Sequence, residues 1–211
     1  MKKLVLIITF FAWIGYAHAQ YDERALIVLN AMSTKYQSYS SFTAEFNYSM
    51  ENEEEKIKDE FNGKITIMGE KYRLDMGIQE IFNNGETIWT YMPEEKEVNI
   101  SEFEPDEDEL TPSKIFTAYE NGYKYILLDN ESDADYNVID LIPENNDEQF
   151  FKVRMSISKN DNMIKSWKIF DKNGNNYVHT ITKFSPNNSL NSSYFEFDPS
   201  KYPGVEVVDL R

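Results

Sequence analysis

FNGKITIMGEKYRLDMGIQEIFNNGETIWTYMPEEKEVNI, residues Phe61–Ile100, is the stretch whose reading decides the fold. Its apolar residues fall on alternate positions in short runs: Ile65 and Ile67, then Tyr72, Leu74 and Met76, then Trp89 and Tyr91. A period of two belongs to a strand with one covered face. Turn chemistry separates the runs, at Asn83-Asn84-Gly85 and at Met92-Pro93-Glu94-Glu95-Lys96. At least four short strands are expected here, sharing an aromatic face. That face must be covered by a second sheet, by helices or by a ligand.

The same pattern extends in both directions. Upstream, Phe42, Ala44, Phe46, Tyr48 and Met50 alternate strictly, and Lys56–Met68 reads as the hairpin partner of that strand. Before them Ala25, Leu26, Leu29 and Met32 form a helical stripe, with Asp22 placed to cap it and Ser38–Ser41 to end it. A second helix is expected at Pro112–Tyr119, where Thr111 can cap, Pro112 suits the first turn, and Ile115, Phe116 and Tyr119 share a side. Strands are expected again at Tyr123–Asp129, Asn137–Ile142, Phe150–Ser158, Met163–Asp171 and Tyr177–Phe184, and a last one at Val205–Val208. The links Lys159–Asn162 and Lys172–Asn175 are hairpin turns of the kind that tolerate positive φ. The predicted fold is mainly β (α+β): one unclosed antiparallel sheet of about 10–11 strands, with helices over its apolar face.

The first residues read as an export signal. Lys2 and Lys3 precede the apolar run Leu4–Ile14, and Ala17-His18-Ala19 offers small residues for cleavage after Ala19. Residues 20–211 are then a single domain of about 192 residues, soluble, periplasmic and not lipidated. The sequence has no cysteine, so disulfides, thiol catalysis and cysteine-based metal sites are excluded. Its formal charge is −16, and losing Lys2 and Lys3 takes it to about −18. That balance argues against nucleic acid, which needs clustered Lys and Arg, and against firm docking on anionic lipid. The acid gathers in Glu51–Glu55 and Glu102–Glu109, which read as solvated loops without the glycine and spacing of a calcium loop.

Catalytic chemistry is scarce. Beyond His18 the sequence holds one histidine, His179, alternating with Tyr177 and Ile181 in a strand pattern. One histidine cannot make a His₂ or His₃ metal site, and no Gly-x-Ser-x-Gly elbow or phosphate-binding glycine loop occurs. No catalytic residue, metal or cofactor is assigned, and no enzyme activity is expected. What the chain does carry is aromatic mass, 14 Tyr, 14 Phe and 3 Trp, which suits either an ordinary β core or the wall of an apolar cavity.

Four segments, taken in order, resemble the LolA family of outer-membrane lipoprotein carriers. The first is the opening helix, its polar break and Ser41-Phe42-Thr43-Ala44-Glu45-Phe46. FNGKITIMGEKYRLDM follows, with a glycine leading a strand, and then Asn84-Gly85 with Trp89, Tyr91 and Pro93. The close, YFEFDPSKYPGVEVVDL, is similar to the family's ending. The resemblance implies a half-barrel wrapped around an acyl-chain cavity under a helical lid. Phe46, Ile65, Ile67, Tyr72, Leu74, Trp89 and Tyr91 would form the wall, and Leu26, Leu29, Ile115 and Phe116 the lid. It also implies a periplasmic monomer that takes acylated lipoproteins from an inner-membrane ABC transporter and delivers them to the outer membrane, in some bacteria through a receptor. A lipid-binding sensor or regulatory module of the same fold is the alternative. One departure stands out: Met68-Gly69-Glu70 occupies the place of the family's lid-latching Arg-Pro pair, and Arg73 is the nearest arginine.

Overall fold

The computed structural model describes residues 21–52, 56–104, 115–186 and 190–211. The expected signal segment, parts of both acidic loops and Pro112–Lys114 lie outside these. One helix, α1 (Glu23–Gln37), opens the described chain, and twelve strands follow. They are β1 (Phe42–Asn52), β2 (Ile57–Met68), β3 (Lys71–Asp75), β4 (Glu80–Asn83), β5 (Thr87–Met92) and β6 (Glu97–Glu102), then β7 (Tyr123–Leu127), β8 (Tyr136–Pro143), β9 (Phe150–Ser158), β10 (Ile164–Asp171), β11 (Asn176–Pro186) and β12 (Glu206–Asp209). All twelve belong to one sheet in the order β12-β6-β5-β4-β3-β2-β1-β11-β10-β9-β8-β7. The two ends differ, so the sheet is unclosed. Every strand pairing is antiparallel except that of β12, the last expected strand, with β6, which is parallel and departs from the all-antiparallel sheet expected.

Helix α1 forms because its apolar residues recur on one side. Ala25, Leu29, Met32, Ser33 and Tyr36 are buried, while Ile27 faces solvent. Asp22 caps it as expected: its Oδ1 accepts from the Arg24 amide at 2.9 Å. Its backbone amide donates to Tyr125 O at 3.1 Å, tying the helix start to the edge strand β7. At the far end the Tyr36 hydroxyl accepts from the Ile164 amide at 3.2 Å. The helix thus crosses the inner face from β7 to β10, over Tyr125, Ile139, Leu141, Val153, Met155 and Ile157, which form one core with it. The second expected helix, Pro112–Tyr119, is described only from Ile115, its expected cap Thr111 lying outside the described residues. From Ile115 the chain makes turns and then a short 3₁₀ segment, Ala118–Glu120, bounded by Gly122 at φ 74°.

On the other side of the sheet the C-terminal tail packs as a strap. Two 3₁₀ turns, Ser192–Phe195 and Pro199–Lys201, lead into β12. Phe197 packs edge-on against Phe82 at 5.6 Å and stacks on Tyr202 at 4.5 Å, with Val98 completing a small outer core. Arg73 belongs to this strap. Its guanidinium lies 4.5 Å from the Phe82 ring and 4.9 Å from the Tyr194 ring, and its Nε donates to Glu80 Oε1 at 2.6 Å. Tyr202 donates to the other Glu80 oxygen at 3.1 Å. Burial, with the Glu80 charge second, pushes the Tyr202 phenol up to about 12. Arg73 therefore fastens the tail to the outer face and does not reach the inner face at all.

Replacing Arg73 with Ala should lower unfolding stability by about 1–3 kcal/mol, because Glu80 then keeps its half-buried place without a cation. Amide exchange of Val207 and Val208 should speed up before that of β1 and β11. Equal protection of the tail in both proteins would overturn the strap assignment.

Candidate functional site

Antiparallel register decides which side chains face α1. Phe42 stands opposite Ile67, Ala44 opposite Ile65 and Tyr48 opposite Phe61, while Leu74 stands opposite Ile65 and Tyr72 opposite Ile67. All point to the inner face. On the other side of β1 the pairing shifts between Glu45 and Phe46: Ala44 meets Phe184, but Phe46 meets Ile181 and Tyr48 meets His179. One extra residue in β11 reverses its alternation. Thr182 and Lys183 both point outward as a result, and Phe184, Ile181 and His179 all point inward. A second shift, between Ile164 and Ser166 in β10, likewise lets both Ile164 and Trp167 face inward.

These side chains enclose a cavity of about 320 Å³, within the range of sites for small apolar ligands. Its wall includes the expected Phe46, Ile65, Ile67 and Leu74, and its cover includes Ile115 and Phe116. Phe116 stacks on Tyr36 with ring centroids 3.9 Å apart. None of the described residues lining the cavity carries a charge. It runs along β1 from an aromatic end under the helix, at Tyr36, Phe42 and Phe184, to a more polar end at Tyr48, Gln79 and His179.

The remaining expected residues lie elsewhere. Tyr72 is on the inner face but buried in the core beside the cavity. Leu29 is fully buried and Leu26 half-buried, both packing over the filled half of the sheet. Trp89 and Tyr91 are corrected: they face outward. Ile81 pairs with Leu74 and with Thr90, so Thr90 and Ile88 share the cavity face, and Trp89 and Tyr91 join Phe82 and Phe197 in the outer core. The aromatic residues of β4 and β5 gather on the outer face, so aromaticity marks the wrong side of these two strands. Phe42, Ala44 and Tyr48 follow the alternation read from β1, whereas Trp167, Ile181 and Phe184 are brought into the wall by the two register shifts, which leave no plain mark in the sequence.

Two positions set the cavity's shape and polarity. Gly63 lies opposite Phe46, and a Cβ there would stand 2.4 Å from Phe46 Cζ and 3.1 Å from Met76 Sδ. The missing side chain makes room for the phenyl ring. His179 stacks on Trp167, centroids 4.6 Å apart and 7° from parallel, with Tyr48 at 4.9 Å. Burial pulls its pKa down to about 4, so the ring is neutral at neutral pH. Its Nδ1 is enclosed and has no hydrogen-bond partner among the described residues. No group of described His, Asp or Glu side chains converges as metal ligands would.

An unclosed sheet holding an uncharged cavity beneath one helix defines a hydrophobic-ligand-binding class of fold. The match to the family described as "Outer membrane lipoprotein carrier protein LolA" spans residues 37–198, and the chain belongs to that family. No curated protein matches the sequence. Among solved structures, an uncharacterized conserved protein from Thermus thermophilus is similar at 12% identity and TM-score 0.55, over 88% of this chain and 99% of that one. A LolA superfamily protein from Nitrosomonas europaea aligns at 14% identity and TM-score 0.46, over 82% of this chain and 98% of its own. A putative outer membrane lipoprotein-sorting protein domain from Vibrio parahaemolyticus aligns at 11% identity and TM-score 0.46, over 82% and 97%. No helix among the described residues is long and apolar enough to cross a membrane.

Gly63→Ala should force the Phe46 ring into the cavity and cost about 1–3 kcal/mol in urea unfolding, the usual penalty for overpacking. An unchanged midpoint would mean the ring yields freely.

The sign of the His179 effect follows from its depressed pKa. The unfolded chain binds a proton near pH 6.5 that the folded chain refuses until about pH 4, so stability falls as pH drops through that window. Against His179→Phe, the wild type should lose up to about 3 kcal/mol between pH 7 and pH 4. Parallel stability curves for the two proteins would show that the imidazole is not buried in the neutral form.

Proposed function

We propose that this protein is a periplasmic chaperone that takes acylated lipoproteins from an inner-membrane ABC transporter, shields their acyl chains in the cavity, and hands them to the outer membrane, directly or through a receptor. The observation that carries this reading is the uncharged cavity walled by Phe46, Ile65, Ile67 and Leu74 in a chain of the LolA family.

The energetics fit a carrier. Burying an acyl chain gains about 0.8 kcal/mol per methylene, in a protein cavity much as in a bilayer. Neither compartment then holds the chain irreversibly against the other, and direction can come from an energised donor. The formal charge of −16 keeps the carrier off anionic membrane surfaces between the two events. A charged residue in the wall would undo this balance, because an unpaired carboxylate opposes the entry of an alkyl chain.

The test is a release assay on spheroplasts of the source bacterium. Purified protein is added, membranes are pelleted, and the supernatant is analysed for lipoprotein bound to it. Energy-dependent release of acylated lipoprotein is expected from the wild type. Leu74→Glu, with its fold verified by circular dichroism, should reduce release at least tenfold, about 1.4 kcal/mol of lost binding. Extraction of free lipid without any lipoprotein would replace the carrier reading with the sensor or regulatory one.

A further inference from the structure

In a chain of formal charge −16, the outer face of β7–β10 is basic. Register turns Lys124, Asp140, Lys152, Arg154, Lys168 and Phe170 outward, because their neighbours Tyr125, Leu141, Val153 and Ile169 face the core. Asp140 is the one carboxylate among the described outward positions of these four strands. Arg154 holds it with Nε at 2.6 Å and Nη2 at 2.9 Å, and reaches Glu131, in the turn before β8, at 2.5 Å. Lys152 stands 3.5 Å from the same carboxylate. Lys124 and Lys168 have no carboxylate partner among the described residues. Positive charge is therefore in excess here, although acids outnumber bases 37 to 21 in the whole chain.

An aromatic pair sits among these cations. The pairing of β9 with β10 shifts between Phe170 and Asp171, and Phe151 is the extra residue. The shift sends Phe150 to the core and Phe151 to the outer face, where it packs 6.0 Å from Phe170 and stays 49% exposed. Lys152 Nζ lies 4.1 Å and Lys168 Nζ 5.0 Å from the centre of the Phe170 ring. Aromatic rings and Arg are enriched where proteins meet, and a ladder irregularity whose product is an exposed phenyl fits such a surface better than a solvated sheet face.

We propose that this face is a docking surface for an acidic, extended segment of a partner protein, whose carboxylates meet Lys124, Lys152 and Lys168 while an apolar side chain packs on Phe151. The proposal does not depend on the acyl cavity, which lies on the opposite face of the sheet. Spacing suits an extended segment. Lys152 and Arg154 are about 7 Å apart along β9 and the strands about 4.8 Å apart, close to the repeat of side chains on one side of an extended peptide. Repulsion from the rest of the chain reaches little beyond a Debye length of about 8 Å at physiological salt, so a short segment feels chiefly this face. An anionic membrane fits less well, because a broad plane laid on the outside of a curved sheet also approaches its acidic surroundings.

The experiment titrates the purified full chain into a fluorescein-labelled peptide of alternating Glu and Tyr, and into the same peptide with Gln for Glu, and reads anisotropy. The wild type should bind the Glu peptide at least tenfold more tightly than the Gln peptide, and added salt should erode the difference. Lys124→Glu with Lys168→Glu, two positions that hold no ion pair, should abolish the preference. Lys64→Glu with Lys96→Glu changes the net charge equally at exposed positions elsewhere and should leave it intact. Phe151→Ser should weaken binding of both peptides about threefold with the salt dependence unchanged. Equal wild-type affinities for the two peptides, or an equal loss in the Lys64/Lys96 variant, would overturn the docking surface. Sedimentation with phosphatidylglycerol vesicles that is lost in the Lys124/Lys168 variant, without peptide binding, would replace the protein partner with a membrane.

Discussion

Coverage of one apolar face by one helix is the constraint on which the rest of this structure depends. Twelve strands at about 4.8 Å spacing span roughly 50 Å, whereas a fifteen-residue helix is about 22 Å long. Helix α1 is committed at both ends, by Asp22 to the β7 edge and by the Tyr36 hydroxyl to Ile164. It therefore fills the inner face over β7–β10, and among the described residues the part over β1–β3 is left short of cover. Closing the sheet into a barrel would remove the shortage, but the ends of this sheet do not meet. Among the described residues, the cavity lies where the open sheet extends beyond its one helix.

The wall of that cavity is a matter of parity. A strand alternates strictly, so a continuous β11 that put Phe184 inward would turn Ile181 and His179 to solvent. The extra residue at Thr182–Lys183 resets the count, and the shift at Ile164–Ser166 does the same for Trp167 in the next strand. Two bulges in adjacent strands concentrate twist where the sheet must curve around the cavity. Gly63 works by the opposite means: leaving out a side chain lets Phe46 lie against the strand rather than fill the space. Shape here comes from irregularities in an otherwise regular sheet.

The legibility of the sequence follows from the same distinction. Regular alternation announced β1, β2 and β3, and with them Phe46, Ile65, Ile67 and Leu74 as neighbours on one face. The turn residues gave the hairpins, with Asn162 and Gly174 at positive φ where the links were expected. Trp89 and Tyr91 were misplaced because the aromatic residues of β4 and β5, Phe82, Trp89 and Tyr91, all lie on the outer face, while the inner face of these strands carries Ile81, Ile88 and Thr90. The tail supplies Phe197 and Tyr202 to cover the outer face, and nothing local to Thr87–Met92 announces a partner more than a hundred residues away. The inward set of β10 and β11 was obscured for a different reason. A bulge is specified by pairing with the neighbouring strand, which a single strand's pattern does not contain.

The absence of the Arg-Pro pair at Met68-Gly69 bears on how the cavity opens. Arg73, the nearest arginine, is held on the outer face by Glu80 and two aromatic rings. Among the described residues the cover over β1–β3 makes apolar contacts, Phe116 on Tyr36 and Ile115 against the same wall, and is tied to α1 where the Tyr119 hydroxyl donates to Asn30 Oδ1 at 2.9 Å. The apolar contacts are non-directional and scale with the area removed from water. Under the proposed acyl-binding reading, an alkyl chain in the cavity would replace them with contacts of the same kind. Polarity enters this otherwise apolar wall at the end remote from the helix, where Tyr48, Gln79 and His179 line it.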